Sequence, residues 1–198
     1  MIVHLILEGH LEEPVADKLL LYCGHQKGNI YGRQGCGYIS KKIFSLQALA
    51  RYGCGVLVLT DLRDSRTPCP SEALKRYKIV SPPANFLCRF AVFELESWLL
   101  ADREALAKFL GIAVKHIPSS PDGEIFPKRT MVSLANRSKK KSIQTGVVPE
   151  PSHGGVVAPG YLATMTEFVI DYWDVASAMR NSPSLNRCIE RLQGLRVE

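Results

Sequence analysis

Four acidic residues stand where apolar runs stop. Glu8 follows IVHLIL (2–7), and Asp61 follows GVLVLT (55–60) with Asp64 three residues further along the same loop. Glu94 follows FLCRFAVF (86–93). Short, nearly all-apolar runs of this kind read as strands buried on both faces. In a parallel sheet, ligands gather outside the carboxyl ends of the strands, so acids at three such ends can converge. Like charges brought together repel unless a cation neutralises them. An all-oxygen donor set favours a hard ion, Mg²⁺ or Mn²⁺, bound by one or two carboxylates and several waters. Any one of these acids alone reads better as a solvated loop residue or a helix cap, because helix starts attract acids unaided. Three acids at three strand ends shift the balance towards a site.

The elements that must position them follow from the hydrophobic periodicity. After the first strand, Glu8-Gly9 breaks the run, and residues 11–22 place Leu11, Val15, Leu19 and Tyr22 at helical spacing, with Glu12, Glu13 and Pro14 in the first turn. A glycine-rich stretch (24–38) contains a short strand near 29–31. A helix is expected over 40–52 with Ser40 as its N-cap, Ile43, Leu46 and Leu49 as its buried stripe and Gly53 as its stop. Ser71 caps a short helix ending near Tyr77. Four β-type runs alternating with helices imply βαβ crossovers and a four-stranded parallel sheet. From Glu94 the pattern becomes helical: ELESWLLADREALAKFLG reads as one helix, and 161–179 and 184–193 as two closing helices. The expected organisation is an α/β core over 1–94 and a helical extension over 95–198 packed on it, with a basic loop near 127–160.

Composition narrows the partners. The chain of 198 residues is 46% hydrophobic and carries a net charge of +6, so it can bury a core and presents a surface attractive to polyanions. Lys128, Arg129, Arg137, Lys139, Lys140 and Lys141 form its densest basic segment; they read either as a phosphate-backbone surface or as a solvated charge run. No apolar run is long enough to span a bilayer, and the N-terminus lacks a basic region before its apolar stretch, so a cytoplasmic protein with no membrane partner is expected. Six cysteines without a C-x-x-C pair read as reduced thiols rather than a zinc site. Gly32, Gly35 and Gly37 fit neither the P-loop nor the dinucleotide fingerprint and read as a connecting loop, so ATP and NAD are not expected. Ser152-His153 lies in a glycine-rich loop with no nucleophile elbow, which gives a hydrolase triad no support. His10 reads as a helix-start residue, and Trp98 as core packing.

Strand–Glu8-Gly9–helix, followed by GVLVLT-Asp61 within four strands in βαβ order, resembles the Toprim domain of topoisomerases, primases and OLD-type nucleases. RFAVFELESWLLADREAL (89–106) and SPSLNRCIERL (182–192) resemble a Toprim-like family, domain of unknown function four-two-seven-six, over nearly the whole chain. The resemblance implies that Glu8 occupies the Toprim glutamate position and Asp61 the first acid of the D-x-D pair. The second acid of that pair falls at Arg63 here, with Asp64 one residue later; either Asp64 takes its place by a shifted loop or the metal site is weakened, and Arg63 becomes a candidate phosphate contact. Also implied are Mg²⁺ or Mn²⁺ held by Glu8, Asp61, Asp64 and Glu94 or Glu96, nuclease chemistry on nucleic acid, and a role in bacterial phage defence beside a partner ATPase. The alternative is a non-catalytic module that binds nucleic acid or a partner on the same scaffold.

Overall fold

A computed structural model describes residues 1–151 and 154–196; the Ser152-His153 pair lies outside the described residues. The chain divides into two compact units, Met1–Phe93 joined by the C-terminal segment from Ser184, and Glu94–Pro183. The first is an α/β unit with four parallel strands, β1 (Ile2–Leu7), β2 (Gln26–Gly32), β3 (Gly55–Asp61) and β4 (Phe86–Ala91), in the order β2-β1-β3-β4.

The two central strands are the most apolar. Val3, Leu5, Ile6 and Leu7 of β1 and Val56, Leu57, Val58 and Leu59 of β3 are completely buried. Because successive side chains alternate between faces, Ile6, Val56, Val58, Phe86, Cys88 and Phe90 line one side of the sheet. There they pack with Ile39 and Ile43 of α2 (Cys36–Leu46) and Ala73 of α3 (Pro70–Arg76). The α1 helix (Glu12–Tyr22) buries Val15, Ala16, Leu19 and Leu20. The last helix, α10 (Pro183–Gln193), is tied to the same unit by the His25 ring, whose Nε2 lies 2.8 Å from the Leu192 carbonyl oxygen.

The first helix after β2 starts earlier than its periodicity suggests. It begins at Cys36 behind Gly35, whose φ of 77° favours glycine, and gives way to a 3-10 turn over Gln47–Tyr52. Ser40 lies inside it and donates to the Gly37 carbonyl. Gly32 is required by packing: at φ 101° its added Cβ would overlap the Leu7 carbonyl oxygen, so β2 can close against the end of β1 only with glycine there.

The second unit is helical: α4 (Glu96–Ala101), α5 (Arg103–Leu110), α6 (Pro127–Asn136), α7 (Lys141–Val147), α8 (Tyr161–Asp171) and α9 (Val175–Met179). Every residue of α4 is buried, Trp98 completely, and Trp173 donates its indole N–H to the Trp98 carbonyl at 3.0 Å. The single helix expected after Glu94 is broken at Asp102. Its carboxylate accepts the Ala105 N–H at 3.3 Å as the N-cap of α5 and the Asp174 N–H at 2.8 Å. A side chain that competes for backbone donors ends one helix and starts the next. Asp174 acts in the same way between α8 and α9. The expected basic loop is in large part helical, because Met131, Leu134 and Ala135 give α6 a buried stripe that outweighs its charge, and α7 follows it.

Candidate metal and acid–base site

Order β2-β1-β3-β4 means that the chain leaves β1 towards one edge and later returns on its other side. Connections therefore diverge between the carboxyl ends of β1 and β3, which is where open parallel sheets bind ligands. Glu8 and Asp61 occupy those two ends. Register pairs Leu7 with Leu59, so Glu8 lies beside Thr60 and one residue before Asp61 on the neighbouring strand.

The Glu8 carboxylate is held in place. The hydroxyl of Thr60, a fully buried residue, donates to Glu8 Oε2, and the Asp61 N–H lies 3.4 Å from the same oxygen. After Asp61 the chain anchors on buried Leu62, whose N–H donates to the Ala91 carbonyl at 2.9 Å, and Arg63 N–H donates to Phe93 O at 3.0 Å. The 3-10 turn over Arg63–Ser65 then bends the chain back on itself, closed by Ser65 N–H and Oγ donating to Leu62 O at 3.1 and 2.6 Å. This tight turn, about three residues per repeat, brings Asp64 into hydrogen-bond contact with Glu8. The acid three residues after Asp61, rather than two, thereby meets the glutamate.

Burial, foremost, together with the hydrogen bond and charge of Asp64, pushes Glu8 up to about 7 from 4.5; Thr60 and the Asp61 N–H oppose the shift. Glu8 therefore keeps its proton to near neutrality, because a second carboxylate cannot ionise cheaply against a neighbouring one. What displaces such a proton is a cation. The donor set is all oxygen, and two carboxylates completed by waters and substrate oxygens suit Mg²⁺; the residues fit such an ion. Among the described residues, no three histidine, cysteine or acidic side chains form a ready-made cage.

The wall of the crevice comes from the loop after β2. Arg33 N–H donates to Leu7 O at 2.8 Å and Gly35 N–H to Glu8 O at 2.9 Å. The Arg33 guanidinium pairs with Glu13 of α1, while Lys27 pairs with Asp17 at 2.6 Å. The glycines of this loop thus serve the connection, and His10 is an exposed residue at the start of α1.

Glu94 opens the second unit. There its carboxylate accepts the Lys128 N–H at 3.0 Å, at the N-terminus of α6. The basic residues separate into two groups. Lys128 Nζ lies 3.5 Å from the buried Glu96, which also accepts the Tyr161 hydroxyl at 2.9 Å, and Lys140 Nζ donates to the Phe109 carbonyl at 2.7 Å at the end of α5. Burial pushes Glu96 above the usual carboxylate range, and Lys128 opposes that shift. Arg129 stacks over the Phe126 ring at 5.2 Å, and Arg129, Arg137, Lys139 and Lys141 are exposed.

Sequence reasoning overlooked Thr60 and the Lys128–Glu96–Tyr161 cluster. A threonine ending an aliphatic strand immediately before an aspartate is a polar residue where packing wants an apolar one, and it was the available signal for Thr60. Nothing local announces that Lys128 faces inward. No family model matches the chain, and no curated protein or solved structure matches it, so its function has to be inferred from the geometry of these residues.

Proposed function

We propose that the first unit is a Toprim-like, divalent-metal-dependent phosphodiesterase acting on nucleic acid. The observation that carries the reading is the contact between the Glu8 and Asp64 carboxyl groups beside Asp61, at the crevice where the strand order reverses. Asp61 and Asp64 hold Mg²⁺ or Mn²⁺, which when bound supplies charge stabilisation to a phosphodiester and lowers the pKa of a water. Glu8, partly buried and fixed by Thr60, is poised near neutrality to accept a proton, as a general base should be. Exposed Arg129, Arg137, Lys139 and Lys141 are candidates for phosphate-backbone contact; Lys128 and Lys140 contribute mainly to holding the second unit together. A setting in phage defence beside a partner ATPase remains part of this proposal.

A second reading, a non-catalytic binding module, draws on Arg63 in the position where the resemblance expects an acid and on the absence, among the described residues, of a group of three candidate metal ligands. Cleavage of mixed single- and double-stranded DNA and RNA in Mn²⁺ separates the two. The parent cleaves at least one of them, and Asp61→Asn and Glu8→Gln lower the rate by roughly 100-fold or more. Equal rates in parent and variants would remove the catalytic reading.

A further inference from the structure

The first unit also carries a set of arginines on β4 and α10. Arg89 lies on β4, an edge strand, and its guanidinium is influenced by Arg187 and Arg191, one turn apart on α10. Burial, foremost, with repulsion by Arg191 and Arg187, pulls Arg89 below the ordinary arginine range, against the opposing influence of Cys188 and Cys88. Its Nε is buried and has no hydrogen-bond partner. Among the described residues, none of the three arginines forms an ion pair.

Arg89 and Arg187 border a cavity of about 80 Å³ whose other walls include Leu74, Phe90 and Val92. That space exceeds the roughly 10–15 Å³ one water requires, yet it is too small for a nucleobase and its stacking partners. A half-buried guanidinium without an acid is costly. Its planar fork of donors matches the oxygens of a phosphate, and a multiply charged oxyanion offsets several cations better than a single carboxylate does.

We propose that Arg89, Arg187 and Arg191 form a phosphate-binding site at the β4 edge, using residues that the carboxylate crevice does not. The ligand is a phosphate group, carried either by a nucleic-acid backbone or by a free phosphate. This assignment does not depend on the metal reading, and its test is done in EDTA so that catalysis plays no part.

Binding of a fluorescein-labelled duplex, a single strand, inorganic phosphate and an oligoglutamate peptide is measured for the parent, Arg187→Ala/Arg191→Ala and Arg89→Met. With a backbone source, the double variant binds duplex roughly tenfold or more weakly, and its slope of log affinity against log salt falls by about 2. With a free-phosphate source, inorganic phosphate stabilises the parent against heat, this effect disappears in both variants, and oligonucleotide binding stays the same. Either result supports the site. Unchanged binding of oligonucleotide and phosphate in the double variant, or capture of oligoglutamate alone, overturns it. Should Arg89→Met fail to fold, the two exposed α10 positions decide the matter by themselves. Loss of cleavage in Asp61→Asn with intact binding here marks the two sites as separate.

Discussion

Glu8 is subject to four influences that do not agree. Burial and the neighbouring Asp64 favour its neutral form, whereas the Thr60 hydroxyl and the Asp61 N–H favour the anion; the first pair prevails. A folded chain that keeps this proton to about pH 7, while the unfolded chain releases it near 4.5, binds more protons when folded across that interval. Metal-free protein should therefore lose stability as pH rises from about 4.5 to about 7, and Glu8→Gln should flatten that part of the profile; urea midpoints measured across the interval check it. Gly32→Ala, which forces a side chain against the Leu7 carbonyl at a left-handed φ, should cost about 2–3 kcal/mol by the same method. The cysteines also differ. Burial pushes the Cys88 and Cys188 thiols up to about 12, whereas a hydrogen bond with Ser71 lowers Cys69. Among these three, Cys69 should react first with a thiol reagent in native buffer, and Cys88 and Cys188 only once the chain unfolds.

At the level of elements, legibility followed burial. β1, β3 and β4 were evident as apolar runs because central or well-covered strands must be apolar on both faces. β2, GlnLysGlyAsnIleTyrGly in sequence, is legible only in part, since, unlike the other edge strand β4, it buries no residue completely and is mostly polar. The two helices merged into one after Glu94 show the reverse error: hydrophobic periodicity continues across Asp102, and only the tertiary hydrogen bond to Asp174 N–H reveals why the chain turns there. Asp102→Ala should cost about 1–3 kcal/mol, through loss of the α5 cap and of a partner for Asp174, read from thermal or urea unfolding. α6 was hidden by the lysine and arginine of its first turn, although Met131, Leu134 and Ala135 give it a buried stripe.

For the molecule as a whole, the sequence revealed that three acids end strands but not that Asp64 is the one to touch Glu8. That contact depends on a 3-10 turn whose anchors, Ala91 and Phe93, lie about thirty residues away along the chain. The division into two units likewise depends on a C-terminal helix that returns to the first, a long-range event that periodicity does not encode. Among the described residues no helix is long and apolar enough to cross a membrane. Uptake of a divalent ion by the aspartates beside Glu8 is checked by titrating the metal-free protein with Mn²⁺ at pH 7.5 and following thermal unfolding. At about 100 times its Kd, one bound ion should stabilise the parent by roughly 2.7 kcal/mol, raising its midpoint by roughly 5–10 °C, with the rise abolished in Glu8→Gln and Asp61→Asn. An unmoved midpoint, or the same rise in all three proteins, would contradict it.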